Sequence, residues 1–177
     1  MGTKISALTT TGSAPTGAYL PLAFEGENYK VPAGTLVESG EILFQVTRAS
    51  NQILDHSITS TILFTDEVIA SDSFDTSTSR FTPGVAGKYS LSWTFRTDFN
   101  FGYISGNATV SIQKNGATTV FNQTFLLDAS VGFVSGSYIV EANATDYFTL
   151  LWTPPGGLNK VEIVGGASHL NFQGFKI

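Results

Sequence analysis

The side chains able to do chemistry are few. The two histidines, His56 and His169, belong to no cluster of acids or second histidines, so neither reads as a metal ligand or a general base. The chain has no cysteine, hence no thiol nucleophile, no thiolate metal site and no disulfide framework. No Gly-x-Ser-x-Gly elbow, phosphate-binding loop or zinc spacing occurs. Asp66-Glu67 and Asp72 with Asp75 offer the oxygen ligands a calcium ion takes. They lack the alternating ligand series and glycine of an EF-hand, and read as solvated loop acids. The expectation is a protein without catalytic residues, metal or cofactor. Asn107, Asn122 and Asn143 each open a glycosylation sequon, which a threonine-rich β protein also produces by chance.

One stretch has the character of a binding loop. Asp98-Phe99-Asn100-Phe101-Gly102-Tyr103 interleaves aromatic and polar side chains between two expected strands. Ring faces with polar neighbours suit a sugar or a protein surface. The alternative is a loop that tucks Phe99 and Phe101 into the core. The candidate ligand contacts are Asp98, Asn100 and Tyr103, with Asn159 and Lys160 from beyond the loop Pro154-Pro155-Gly156-Gly157.

Charge narrows the partners. Charged residues make up 13% of the chain, the net charge is −5, and the charges are scattered. Nucleic acid and anionic membrane surfaces need a Lys/Arg footprint, which is missing. No apolar run approaches the roughly 18 residues of a membrane helix. The opening Met1–Gly17 has no apolar core of a signal peptide.

The elements that must position these residues are strands. Eighteen glycines, fourteen phenylalanines and many threonines favour strands and tight turns. Tyr89, Leu91, Trp93 and Phe95 alternate with Ser90, Ser92, Thr94 and Arg96, the period of a strand with one buried face. Further strands are expected at Thr109–Gln113, Thr118–Phe125, Ser137–Glu141, Asp146–Trp152, Lys160–Val164 and Leu170–Ile177. Asn115-Gly116 marks a two-residue hairpin. Gly132 to Gly136 reads as a turn, and Gly174 as the site of a bulge. Tyr147 to Trp152 is apolar on both faces, so one face needs a surface beyond the domain core, which a partner subunit supplies most simply.

Three regions follow: residues 1–35, polar and broken by glycine and proline; residues 36–61, a linker either helical (Leu36, Leu43, Val46, Ile53) or extended (Glu41 to Val46); and residues 62–177, all-β. Many short strands with turns between them suggest a sandwich or jelly roll.

The all-β part resembles the C1q/tumour-necrosis-factor-like jelly roll. The matching pieces are Phe81-Thr82-Pro83 with Gly87-Lys88-Tyr89, Gly136 to Ala142 followed by Asp146-Tyr147-Phe148, and the terminal Phe172 to Ile177. The resemblance implies a β-sandwich that assembles as a homotrimer, with Tyr147, Leu151, Phe172, Phe175 and Ile177 as interface candidates. Thr3 to Thr9, with Gly17 and Val31-Pro32-Ala33, resembles the openings of bacteriophage fibre and other virion-appendage proteins. That implies virion anchoring through Ile5, Leu8, Tyr19, Leu20, Leu22 and Phe24, with other virion proteins as partners. The expected role is a non-enzymatic trimer of a virion, either a head or tail fibre meeting a host-surface glycan or protein, or a capsid-decorating trimer. An extracellular C1q-like binding module is the alternative.

Overall fold

The computed structural model describes residues 19–24, 27–32, 42–55, 58–69, 71–98, 104–129, 131–155 and 160–177. The chain divides into two compact units, Met1–Glu38 and Ser39–Ile177. In the first unit, strands β1 (Tyr19–Phe24) and β2 (Glu27–Pro32) form an antiparallel hairpin with Tyr19 opposite Pro32 and Phe24 opposite Glu27. Pro21 thus sits inside a strand, where the broken sequence suggested no regular element. A two-stranded sheet has only edges, and an edge strand tolerates a residue that cannot donate to the ladder.

The second unit is a sandwich of two antiparallel sheets. Its strands are β3 (Ile42–Thr47), β4 (Gln52–Asp55), β5 (Ser60–Thr61), β6 (Asp66–Ile69), β7 (Phe74–Asp75), β8 (Arg80–Phe81), β9 (Gly87–Asp98), β10 (Ile104–Lys114), β11 (Thr118–Ala129), β12 (Val131–Ala142), β13 (Phe148–Thr153), β14 (Lys160–Ile163) and β15 (Leu170–Lys176). Strand β9 is the spine of the seven-stranded sheet. It pairs with β12 along one edge, and with β15 and then β14 along the other. Beyond these, β15 pairs with β3, β3 with β6, and β14 with β4. The six-stranded sheet runs β11-β10-β13-β8-β7, with β5 on β13. No helix occurs among the described residues.

Two strands of the larger sheet, β3 and β4, fall within residues 36–61. The extended reading of that stretch is the one the structure adopts. Phe44 and Val46 alternate into the core, and the free edge of β15 fixes their register.

The core lies between the sheets. From β9 it takes Tyr89, Leu91, Trp93 and Phe95, while Ser90, Ser92, Thr94 and Arg96 point away from it. From β10 and β13 it takes Val110, Ile112, Phe148, Leu150 and Trp152. A phenylalanine cluster closes the flank: Phe44 lies 4.8–5.1 Å from the ring centroids of Phe74, Phe81 and Phe172. Each such pair adds offset or edge-on ring contact to the burial itself. The ladder between β15 and β3 shifts register beside Gly174, but the extra residue is Leu43 on β3, since Gly174 faces Phe44 and Phe175 faces Ile42. Strand β15 itself runs in unbroken register with β9, so the bulge expected at Gly174 is not on this strand; Gly174 makes room for the Phe44 ring instead.

The turn expected at Asn115-Gly116 forms with both residues at positive φ, 55° and 70°, and the Ala117 N–H donates to the Lys114 carbonyl at 3.2 Å. The loop is three residues long, one more than expected, with Lys114 opposite Thr118. The expected turn at Gly132–Gly136 does not form. These residues lie within β12, paired with Arg96, Trp93 and their neighbours on β9. Gly136 is a close-approach glycine: a Cβ there would sit 2.5 Å from Trp93 Cζ2 and 2.8 Å from Gln123 Oε1. The Trp93 indole occupies the space a side chain would need.

Candidate functional site

The acids singled out in the sequence are tied to the backbone. Asp66 Oδ2 accepts from the Ala49 N–H at 2.7 Å and from the Thr65 hydroxyl at 3.0 Å. Asp75 closes the β7–β8 turn, accepting from the Ser77 hydroxyl (2.6 Å), the Ser77 N–H (2.9 Å) and the Thr78 hydroxyl (2.7 Å). Those bonds, the Ser77 hydroxyl first, hold its pKa down to about 2. Asp72 is exposed, at the rim of a shallow hollow lined by Ser71, Ser73, Thr82 and Pro83. Among the described residues no three of His, Asp and Glu converge as a metal site would need. His169 contributes its backbone carbonyl, which accepts from the Arg96 N–H at 2.8 Å. His56 lies outside the described residues.

The two ends of the sandwich differ. At one end β3 begins and β15 finishes, with Ile42 opposite Phe175 and Lys176 opposite Tyr89. The loops there are clamped by Asp146. Its carboxylate accepts from Lys114 Nζ (2.7 Å), Asn115 Nδ2 (2.8 Å) and the Asn143 N–H (2.7 Å). Lys114 first, then Asn115, hold the Asp146 pKa down to about 2.

At the opposite end β9 finishes and β14 begins, and two of the candidate contact residues lie at this end. Asp98 pairs in register with Glu162, two residues from Lys160 on the same strand. Arg96 Nη2 reaches Asp98 at 3.2 Å, and its guanidinium lies 6.0 Å from the Phe133 ring centroid. Asn100, Tyr103 and Asn159 lie outside the described residues. The segments that carry them join β9 to β10 and β13 to β14.

The interface candidates do not form one surface. Phe172 is 1% exposed and belongs to the subunit's own core, ringed by Phe44, Phe64 and Phe74. Alternation explains why: Leu170, Phe172 and Gly174 face inward on β15, and Phe175 is half-buried on the other face. Ile177 is half exposed beside it, its N–H donating to the Lys88 carbonyl. Leu151 lies on the outer face of the six-stranded sheet, opposite Ser111 and Thr61. Tyr147 lies in the loop before β13, with the Arg80 guanidinium 4.3 Å over its ring. Of the anchoring candidates, Tyr19, Leu20, Leu22 and Phe24 fall in β1, and Ile5 and Leu8 lie outside the described residues.

A different apolar surface stands open. Strands β11 and β12 are edge strands of the two sheets, each twelve residues long and, among the described residues, each paired along one side only. They carry Leu126 (68% exposed), Phe133 (74%) and Ile139 (56%). Between them runs a cleft of about 370 Å³ lined by Gln123, Phe125, Leu127, Val131, Phe133 and Val134. Long free edges bearing apolar side chains are sites for association with another chain. Beside this edge the outer face of the larger sheet forms a shallow polar hollow of about 310 Å³, lined by Ser92, Thr94, Ser135, Ser137, Asn171 and Gln173. The sequence signal for the open edge was Phe133-Val134 and Ile139-Val140, where both parities of β12 are apolar.

No known family model matches the chain, and no curated protein matches it in sequence. Solved structures do match its shape. The globular domain of zebrafish complement 1qA protein superposes with a TM-score of 0.53 at 19% identity, covering 76% of this chain and 95% of that one. Eiger TNF from S. frugiperda superposes with a TM-score of 0.54 at 8% identity, covering 77% of this chain and 94% of that one. The fold is therefore a C1q/TNF-like jelly roll. Likeness at these identities establishes the fold and carries no activity with it.

Proposed function

We propose that this chain is a non-enzymatic homotrimer whose jelly-roll heads act together as a multivalent binding or structural module of a bacteriophage virion. The observation that carries the trimer is the open side of the sandwich. Two long unpaired edges and three largely exposed apolar side chains, Leu126, Phe133 and Ile139, are a surface that a second copy would cover. The likeness to C1q and TNF globular domains supports the same reading.

The placement of the two ends supports display from a larger particle. The head is entered at Ile42, at the end where it also finishes, while Asp98 and Lys160 lie at the far end. The virion assignment itself rests on the resemblance of Thr3–Thr9 to fibre-protein openings. Three heads per stalk would turn weak contacts into avidity. A fibre would place the far end against a host-surface glycan or protein, and a decoration protein would place the trimer on the capsid lattice.

Light scattering on the purified chain tests the trimer. The expected mass is three times 18.9 kDa, and a monomer at micromolar concentration would overturn it. A map of an assembled particle tests the rest: copies projecting from a tail or vertex support a fibre, copies on three-fold positions of the shell support decoration, and absence from the particle ends the virion reading.

A further inference from the structure

The sequence holds a single Asn-Gly pair, Asn115-Gly116. Asparagine is a thermolabile residue, and glycine after it leaves the next backbone nitrogen unshielded. In an open chain the Gly116 nitrogen attacks Cγ of Asn115 and loses its proton. Ammonia leaves and a five-membered succinimide forms. Water then opens the ring to aspartate or isoaspartate, with no change of oxidation state.

In the folded chain the Asn115 side-chain amide and backbone N–H are held. Asn115 Nδ2, the departing ammonia, donates to Asp146 Oδ1 at 2.8 Å. Oδ1 of Asn115 accepts from the Tyr147 N–H at 2.9 Å, and the Asn115 N–H donates to the Tyr147 carbonyl at 2.9 Å. Gly116 lies beneath the Tyr147 phenol, close enough that a Cβ on it would come within 2.6 Å of the hydroxyl. Asp146 is itself fixed by Lys114 and the Asn143 N–H. The side-chain amide therefore cannot rotate toward the Gly116 nitrogen without breaking two hydrogen bonds.

We propose that Asn115 is a spontaneous deamidation site of this protein, and that the Asp146–Tyr147 loop is the restraint that keeps it intact in the folded state. Conversion would replace a donor to Asp146 by a second carboxylate. Two like charges would then face each other across the β10–β11 and β12–β13 loops. Isoaspartate would also lengthen the backbone of the tight turn between Lys114 and Thr118, whose geometry sets the register of β10 on β11.

The test is the rate of deamidation at residue 115 in mildly alkaline buffer, read by peptide mass spectrometry with isoaspartate assigned by fragmentation. The folded wild-type chain is expected to convert about tenfold or more slowly than the same chain unfolded in guanidinium, since two bonds must open first. Asp146→Ala, shown by circular dichroism to be folded, is expected to convert several-fold faster than wild type. Asp146→Asn, which keeps an acceptor oxygen for the Asn115 amide, is expected to stay close to wild type. Asp146→Ser gives the same reading as the alanine variant if that variant does not fold. Equal rates in the folded and unfolded wild type would overturn the proposal. So would a folded Asp146→Ala or Asp146→Ser chain that converts as slowly as wild type.

Discussion

Strands β9 and β12 are neighbours of equal length, paired residue for residue from Gly87–Ala142 to Asp98–Val131, yet their sequences follow opposite logic. On β9 every apolar side chain from Tyr89 to Phe95 is buried and the residues between are polar. Both its edges are hydrogen-bonded within the chain. On β12 the inward face carries a glycine because the Trp93 indole fills the space a side chain would need, and the outward face carries Phe133 and Ile139, both largely exposed. A central strand is completed by its own sheet. The edge strand beside it keeps apolar surface and backbone groups in reserve, and that reserve is the physical content of the assembly reading.

The sharpest way to test the contrast is to damage the completed side. Phe172→Ala, in the cluster behind β9, is expected to cost about 3–5 kcal/mol in urea unfolding, the range for emptying a buried aromatic site. A loss near zero would mean that Phe172 is free for an interface after all. Gly136→Val probes the join between the two strands. The added side chain must displace the Trp93 ring, at an expected cost of about 1–3 kcal/mol, read from the same titration and from Trp fluorescence.

Acid tests the Asp75 turn and the Asp146 clamp rather than the sheet edges. Asp75 and Asp146 are both held at about 2, well below the roughly 3.9 of an unfolded aspartate. A depressed carboxyl stabilises the fold above its unfolded pKa, and that contribution fades as pH falls from about 4 toward 2. The melting temperature is therefore expected to fall across that window, and Asp146→Asn to flatten the fall. An unchanged profile in the variant would remove Asp146 from the clamp. The smallest effect on the fold is expected at the edge. Phe133→Ser is predicted to leave subunit stability within about 0.5 kcal/mol while reducing the mass seen by light scattering to a single chain. A large loss of stability without a change of mass would erase the difference between β9 and β12.

Legibility in the sequence followed how local each cause was. The alternation of Tyr89–Phe95 needs only the pleat, and it was readable. The Asn115-Gly116 turn needs only backbone freedom at two residues, and it was readable too. Gly136 looked the same on paper, but its reason is the Trp93 indole across the ladder. A glycine that makes room is written with the same letter as a glycine that turns. Residues 42–47 were ambiguous because six residues satisfy either period until β15 offers an edge to pair with. Phe172 is an interface candidate through the resemblance alone, and it is the regular alternation of β15, in unbroken register with β9, that sends it into the subunit's own core.

The sequence alone determined the class of the protein: all-β, poor in charge, with one clean central strand. Period, turn chemistry and composition act over a few residues and survive without the fold. Only the tertiary structure decided which apolar side chains are spent in the core and which remain, and that Lys114, Asn115, Asn143 and Asp146 form one clamp. Those outcomes depend on register between strands up to dozens of residues apart, where a shift of one position sends every side chain to the other face.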